Sequence, residues 1–226
     1  MPATGSKLSV QVSLGGFFFR TAEGEEAFSS GWLGAEKLFT TKEFQRPYDE
    51  VEISLLTPKV ALVPELFFDA SDARTALSEV SFVRDGDKVA TIPVPQYGAV
   101  LVFSNSIDES LSRVIAQTVL RKDGAPVEVL PEMYYVLRDL GRCREYNRIV
   151  ASWRDGRLYL AIAQGGNLKL CNVFDAIDFT TAEYFIFLSM KSFQLNPEVS
   201  TIVFRTALSE EEKMSLYRYF KAVEEL

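Results

Sequence analysis

The first readable stretch of the chain alternates. Leu8, Val10, Val12 and Leu14 are separated by Ser9, Gln11 and Ser13. A period of two over this length predicts a strand with one buried face. Gly15-Gly16 then allows a tight turn into Phe17-Phe18-Phe19, and Glu23-Gly24-Glu25 leads to a third strand near Ala27 to Leu33. The opening therefore reads as a three-strand antiparallel meander. A charged, proline-containing connector, Thr40 to Glu50, follows it. Val51 to Leu56 and Val60 to Val63 read as short strands, and Asp69 or Ser71 caps a short helix running to about Glu79.

The middle of the chain mixes both periods. Lys88 to Val94 and Ala99 to Ser104 are strand-like, divided by Pro93, Pro95 and Gly98. Ser106 to Glu109 reads as a capping box, and Leu111, Val114, Ile115 and Thr118 continue at helical spacing. Val127 to Leu130 is a strand. Pro131 stands at the expected first position of a helix that Gly141 closes.

The last third repeats the opening. Ile149 to Trp153, Leu158 to Ala163 and Leu168 to Phe174 read as strands joined by Asp155-Gly156 and Gly165-Gly166-Asn167. Thr180 to Glu183 looks like a capping box before an apolar helix carrying Phe185, Leu188 and Phe193, of the kind normally buried. Ser200 to Phe204 is a strand. Ser209 to Glu212 opens a final helix whose Leu216, Tyr219, Phe220 and Val223 are expected to face inward. Meanders beginning at Leu8 and near Arg148, each followed by strands and helices, predict a duplicated α/β unit. Leu8 and Ile149 are expected at matching places.

Composition narrows the chemistry. The 226 residues carry 31 acidic and 24 basic side chains, a net charge of −7, and no histidine. The acidic balance disfavours nucleic acid as a partner. Without histidine, Ser-His-Asp and Cys-His catalysis and His-ligated metal sites are excluded. Cys143 and Cys171 form no CxxC motif, and two free thiols are expected. Met1 to Gly16 lacks the continuous apolar core of a signal peptide. The longest strongly apolar run, Tyr184 to Leu188, is far shorter than the ~18–20 residues that span a bilayer. The expected location is the cytoplasm, without membrane association.

The segment from Glu50 through Val51-Glu52-Ile53-Ser54-Leu55-Leu56-Thr57-Pro58-Lys59 to Phe67 resembles the signature of a Bacteroidetes domain-of-unknown-function family. That family is grouped with the actin-like ATPases. The C-terminal order is similar too: the Asp155-Gly156 and Gly165-Gly166 hairpins, an aromatic helix, a strand, and the Ser-Glu-Glu-Glu helix ending in Leu216-Tyr217-Arg218-Tyr219-Phe220. The resemblance implies an α/β fold of duplicated actin-like (ribonuclease H-like) lobes. Each lobe would be a mixed sheet opening with a three-strand antiparallel meander and flanked by helices. Residues 1–146, with an inserted α/β segment, would form the first lobe and 147–226 the second. No activity is implied.

Nucleotide-binding members of that superfamily place Asp-x-Gly at the first hairpin of each lobe, where carboxylates organise metal and water. Here Ser13-Leu14-Gly15-Gly16 has a serine in that place, and Ala151 or Ser152 stands at the second. Arg205-Thr206 replaces the later Gly-Gly that admits adenosine. The residues left for a nucleotide are Gly15, Gly16 and Arg205, at the crevice expected between lobes. Asp175 with Asp178 is a candidate Mg²⁺ pair or simple helix-start chemistry, and Asp155 is a candidate base or a turn residue. Arg138, Arg142, Arg144 and Arg148 form the densest basic stretch, interrupted by Asp139 and Glu145. Successive Phe17, Phe18 and Phe19 place aromatics on both faces of one strand. Phe17, Phe19, Arg142 and Arg144 are therefore candidate interaction residues, with core packing and a solvated connector as the plainer readings.

The sequence thus points first to a non-catalytic actin-like scaffold with no cofactor. Its expected partner is another protein, with a homo-oligomer as one possibility. The second reading is a degenerate nucleotide-binding actin-like ATPase. A ribonuclease H-like nuclease needs clustered carboxylates that the sequence does not assemble.

Overall fold

A computed structural model describes residues 5–107 and 109–226. The chain begins with β1 (Ser6–Ser13), β2 (Gly16–Glu23), β3 (Glu26–Ser29), β4 (Leu33–Gly34), β5 (Pro47–Tyr48) and β6 (Glu50–Leu55). It continues with β7 (Val60–Pro64), α1 (Ala73–Ser78), β8 (Val89–Val94), β9 (Ala99–Ser104), α2 (Glu109–Thr118), β10 (Leu120–Arg121) and β11 (Val129–Pro131). The rest is α3 (Glu132–Arg142), β12 (Asn147–Arg154), β13 (Arg157–Gln164), β14 (Asn167–Asp175), α4 (Phe179–Ser192), β15 (Thr201–Phe204), α5 (Glu210–Tyr217) and β16 (Ala222–Glu225).

Two sheets share one topology. The first runs β3-β2-β1-β6-β11 and the second β14-β13-β12-β15-β16. In each, a three-strand antiparallel meander is extended by two parallel strands. Leu8 and Ile149 are the third residues of eight-residue strands. Leu8 lies opposite Val51 on its parallel neighbour and Ile149 opposite Ile202. Both are fully buried. The duplicated α/β unit expected from the sequence is present.

The chain packs as two compact units. One comprises residues 1–57 and 105–131, and the other 58–104 and 132–226. Position 147 is where the repeated strand order restarts. Packing instead assigns α3 and the inserted β7–β9 segment to the second unit. In the first unit, alternation buries Leu8, Val10 and Val12 with Ile53, Phe17, Phe19, Phe44 and Ile115. Asp49 fastens the strand starts: its carboxylate accepts from Ser6 N at 2.7 Å, Ser6 Oγ at 2.9 Å and Lys122 Nζ at 2.7 Å. In the second unit, Leu158 to Ala163 of β13 are buried on both faces. Leu158, Leu160 and Ile162 pack with Ile186 and Met190 of α4 and Leu216 of α5. The inserted segment forms the antiparallel sheet β7-β9-β8, with Ala73 and Leu77 of α1 packed on Val102.

Several expectations need correcting. The third strand of the meander splits into β3 and the two-residue β4, which returns to pair with β2. The connector contains the 3-10 helix Lys42–Gln45 and strand β5, which pairs with β10, and a further 3-10 helix, Ala35–Thr40, leads into it. Pro131 ends β11 and does not begin α3, while Gly141 lies inside that helix. Asp178, and not Thr180, caps α4, because its carboxylate reaches Thr181 N at 2.7 Å. That helix buries Ile186 and Met190 but leaves Tyr184 and Leu188 exposed. The Ser209 capping box forms as expected. The final helix stops at Tyr217, however, and Val223 belongs to β16, whose Glu225 accepts from Leu208 N at 2.6 Å. Tyr219 faces outward. The capping box at Ser106 passes through Asp108, which lies outside the described residues.

The Lys122 ammonium and the Ser6 donors hold the Asp49 carboxyl down to about 2. A depressed folded value contributes stability above the unfolded carboxyl range, lost as pH falls through the folded value. The protein is expected to lose stability between about pH 4 and pH 2, and Asp49→Asn should flatten that part of the profile. Urea unfolding midpoints against pH check it.

Candidate functional site

The first hairpin is explained by local geometry. Ser13 is the last residue of β1 and pairs with Gly16 across Leu14-Gly15. Gly15 has φ +75°, a conformation glycine adopts without cost. A Cβ on Gly16 would meet the Leu33 carbonyl and stand 2.6 Å from the Trp32 ring. Gly16 is therefore required by the return of β4 against β2. Leu14 is exposed at the turn. Phe17 and Phe19 are core residues with centroids 5.3 and 5.5 Å from that of Phe44. Their candidacy as an interaction surface is overturned by burial, since their side chains alternate into the first core.

The second hairpin differs in charge. Asp155 and Gly156 have φ of 51° and 68°, as a type I′ turn requires. Counted from the turn, the counterpart of Ser13 is Arg154, which pairs with Arg157. The expected placement at Ala151 or Ser152 is thereby corrected by two or three positions. Arg157 lies 3.9 Å from Asp155 and 3.7 Å from Asp175. Asp178 points its carboxylate at the backbone of Thr181, a bond that lowers its pKa and supports the helix-start reading. Trp153 fills the base of the hairpin, donating Nε1–H to Ala176 O at 2.9 Å while its own N–H reaches Thr206 Oγ1 at 3.2 Å. Among the described residues, no group of three acidic or cysteine side chains converges as a metal site.

Arg205 is not available to a phosphate. Its side chain is 7% exposed, pairs through Nε with Glu132 Oε1 at 3.2 Å and through Nη1 with Asp139 Oδ2, and lies over the Tyr135 ring at 5.1 Å. Glu132 and Asp139 are themselves buried on α3. The expectation that Arg205 serves a nucleotide is corrected for that reason: its charge is matched within the unit. Arg138 and Arg142 also pair with Asp139 Oδ1, at 2.9 and 3.3 Å, which leaves Arg142 largely exposed and Arg144 exposed beside it. The sequence reading missed this cluster. Its signal was two acids seven residues apart on the face of α3 that carries Met133, Val136 and Leu140. Tyr159 is buried nearby, and burial, then the Glu132 carboxylate, raises its pKa well above the usual value. Its hydroxyl has no hydrogen-bond partner among the described residues.

The thiols are not activated. Both cysteines are free, and burial pushes Cys171 up to about 12 and Cys143 to about 11.

Residues 3–223 match the family described as "Protein of unknown function (DUF3822)", and the chain belongs to it. Comparison with curated proteins returns no match. A solved structure from Bacteroides thetaiotaomicron VPI-5482, described as having an actin-like ATPase fold and unknown function, is similar over 99% of this chain and 91% of its own. Identity is 16% and the TM-score 0.65, which establishes an actin-like fold. The cytoplasmic domain of Vibrio cholerae EpsL, an inner membrane component of the type II secretion system, is 16% identical over 91% of this chain and 83% of its own, with a TM-score of 0.45. The ethanolamine utilization protein EutJ from Carboxydothermus hydrogenoformans is 9% identical over 100% and 85%, with a TM-score of 0.43.

Removing one member of a buried ion cluster leaves an uncompensated charge. Arg205→Met is therefore expected to cost about 3–5 kcal/mol, and adding Glu132→Leu and Asp139→Leu to recover much of it. Denaturant titration of the single and triple variants measures both effects.

Proposed function

We propose that this member of the family is a non-catalytic actin-like scaffold that works through contacts with other proteins. The observation that carries the reading is a set of large apolar side chains exposed on the inserted segment. Leu66 is 94% exposed, Phe67 82%, Phe82 80% and Val80 64%. Exposed apolar residues concentrated on one short segment mark interaction surfaces. The hairpins support the reading. Neither the Ser13 hydroxyl nor the Arg154 guanidinium supplies the anionic ligand that holds Mg²⁺ on a triphosphate. The free thiols suit a reducing compartment, and we place the protein in the cytoplasm. No helix among the described residues is long and apolar enough to cross a membrane.

The competing reading is a degenerate nucleotide-binding ATPase, and a thermal-shift titration with Mg·ATP separates the two. No stabilisation is expected. A ligand at 100 times its Kd would stabilise the fold by about 2.7 kcal/mol. A saturable shift of that kind, absent with Mg²⁺ alone and accompanied by phosphate release, would overturn the scaffold reading.

A further inference from the structure

One helix of the second unit is apolar all round. α4 reads Phe-Thr-Thr-Ala-Glu-Tyr-Phe-Ile-Phe-Leu-Ser-Met-Lys-Ser from Phe179 to Ser192. A helix of that kind is ordinarily enclosed. Here Ala182, Ile186 and Met190 enter the core, and Phe185 stacks on Phe174 of β14 with ring centroids 4.6 Å apart. Tyr184 and Leu188, one turn apart, stay exposed on the other side. Beside them the half-buried Phe187 meets the exposed Tyr219 edge-on at 5.0 Å. The apolar surface of this helix therefore continues past the point where the core ends.

Two charges flank that surface. Glu183 is half-buried, and its Oε1 is out of contact with solvent and has no hydrogen-bond partner among the described residues. Lys191 is exposed, and its ammonium enters no ion pair or hydrogen bond among the described residues. The two cannot meet on one helix, because eight residues at 1.5 Å each set them about 12 Å apart along the axis. Phe187 stands midway, one turn from each, so the three share one edge of the helix. This spacing is self-complementary. When two such helices run antiparallel and cross at Phe187, the residue four before it on one lies level with the residue four after it on the other. Glu183 then faces Lys191 of the second copy and Lys191 faces Glu183, as a two-fold axis requires.

We infer that α4 is the contact between two copies of this chain, packed antiparallel about a two-fold axis at Phe187. Tyr184 and Leu188 of each copy interdigitate across the axis, and a Glu183–Lys191 pair closes each end. A partner of different sequence would have to supply the same two charges at the same spacing, whereas a second copy supplies them by symmetry. The 14 residues of α4 make a helix about 21 Å long. One such contact falls at the small end of specific interfaces, near ~1,200 Å² in total, so the dimer is reversible. It does not depend on the scaffold reading, since neither nucleotide nor a third protein takes part.

Sedimentation velocity of the full chain over a concentration series tests the contact. A monomer–dimer equilibrium tighter than about 100 µM is expected, weakening as salt rises because its ion pairs are screened. Tyr184→Ala, at an exposed position, should weaken it about tenfold or more. Glu183→Lys sets two lysines against each other at both ends, and Lys191→Glu sets two glutamates. Each variant alone should dimerise about tenfold or more weakly. Mixed in equal amounts, the two should form a heterodimer close to wild-type strength, since both ends of the mixed pair again join opposite charges. Circular dichroism checks that each variant keeps its fold. If a charge-reversed chain does not fold, the response of the wild-type dimer to salt and the effect of Tyr184→Ala decide the matter. A chain that stays monomeric at 100 µM overturns the inference. So does a dimer indifferent to Tyr184→Ala and to salt, or a pair of folded variants that associate no better mixed than alone.

Discussion

The burial of Arg205 constrains the second unit more than any other single charge. A guanidinium beneath a helix is stable only if carboxylates meet it there, because an unpaired buried charge costs several kcal/mol. Glu132 and Asp139, two turns apart on α3, meet that requirement. The helix is thereby held in register over β12 and β13, with Met133, Val136, Leu137 and Leu140 fully buried. The same pairing determines the chemistry at the end of β15. A cation that looks available in the sequence is already neutralised, so an incoming phosphate would have to displace two carboxylates.

The alternation of Leu8, Val10 and Val12 and the turn residues Asp155-Gly156 made the meanders legible. Both are local signals whose meaning does not depend on distant contacts. Parallel pairing was less visible, because β6, β11 and β15 read as strands without a local signal for which neighbour each joins, and β16 is only four residues long. β16 shows the consequence: Leu216, Phe220 and Val223 fit a helical face, yet Tyr217 ends α5 and Val223 pairs beside Ile202. Tertiary pairing with β15 outweighs local periodicity. The cap of α4 was displaced for a related reason, since Asp178 and Thr180 both offer side-chain oxygens and only the three-dimensional start of the helix selects between them.

The candidate site was legible in what it lacked and illegible in what it contained. Serine at position 13 is plain in the letters, but that Arg154 is its counterpart emerges only by counting from the turn. Phe17 and Phe19 appeared as surplus aromatics. Phe44, on a connector that the sequence suggested was merely charged and irregular, packs against both.

The inserted segment presents the opposite balance from the two main sheets. In those sheets, apolar residues on the central strands are covered and polar or charged residues occur at outer positions, as on β14. On β7 the apolar run remains half-exposed on both faces beside a helix that turns one stripe to the sheet and another to a groove. β14 lies beside that strand, and its Asn172 borders the same groove. Around α1 the side chains divide between the sheet and that groove. Ala73 and Leu77 hold the segment together by packing on Val102, while Asp72, Ala76, Glu79 and Val80 line a groove that Asn172 of β14 also borders.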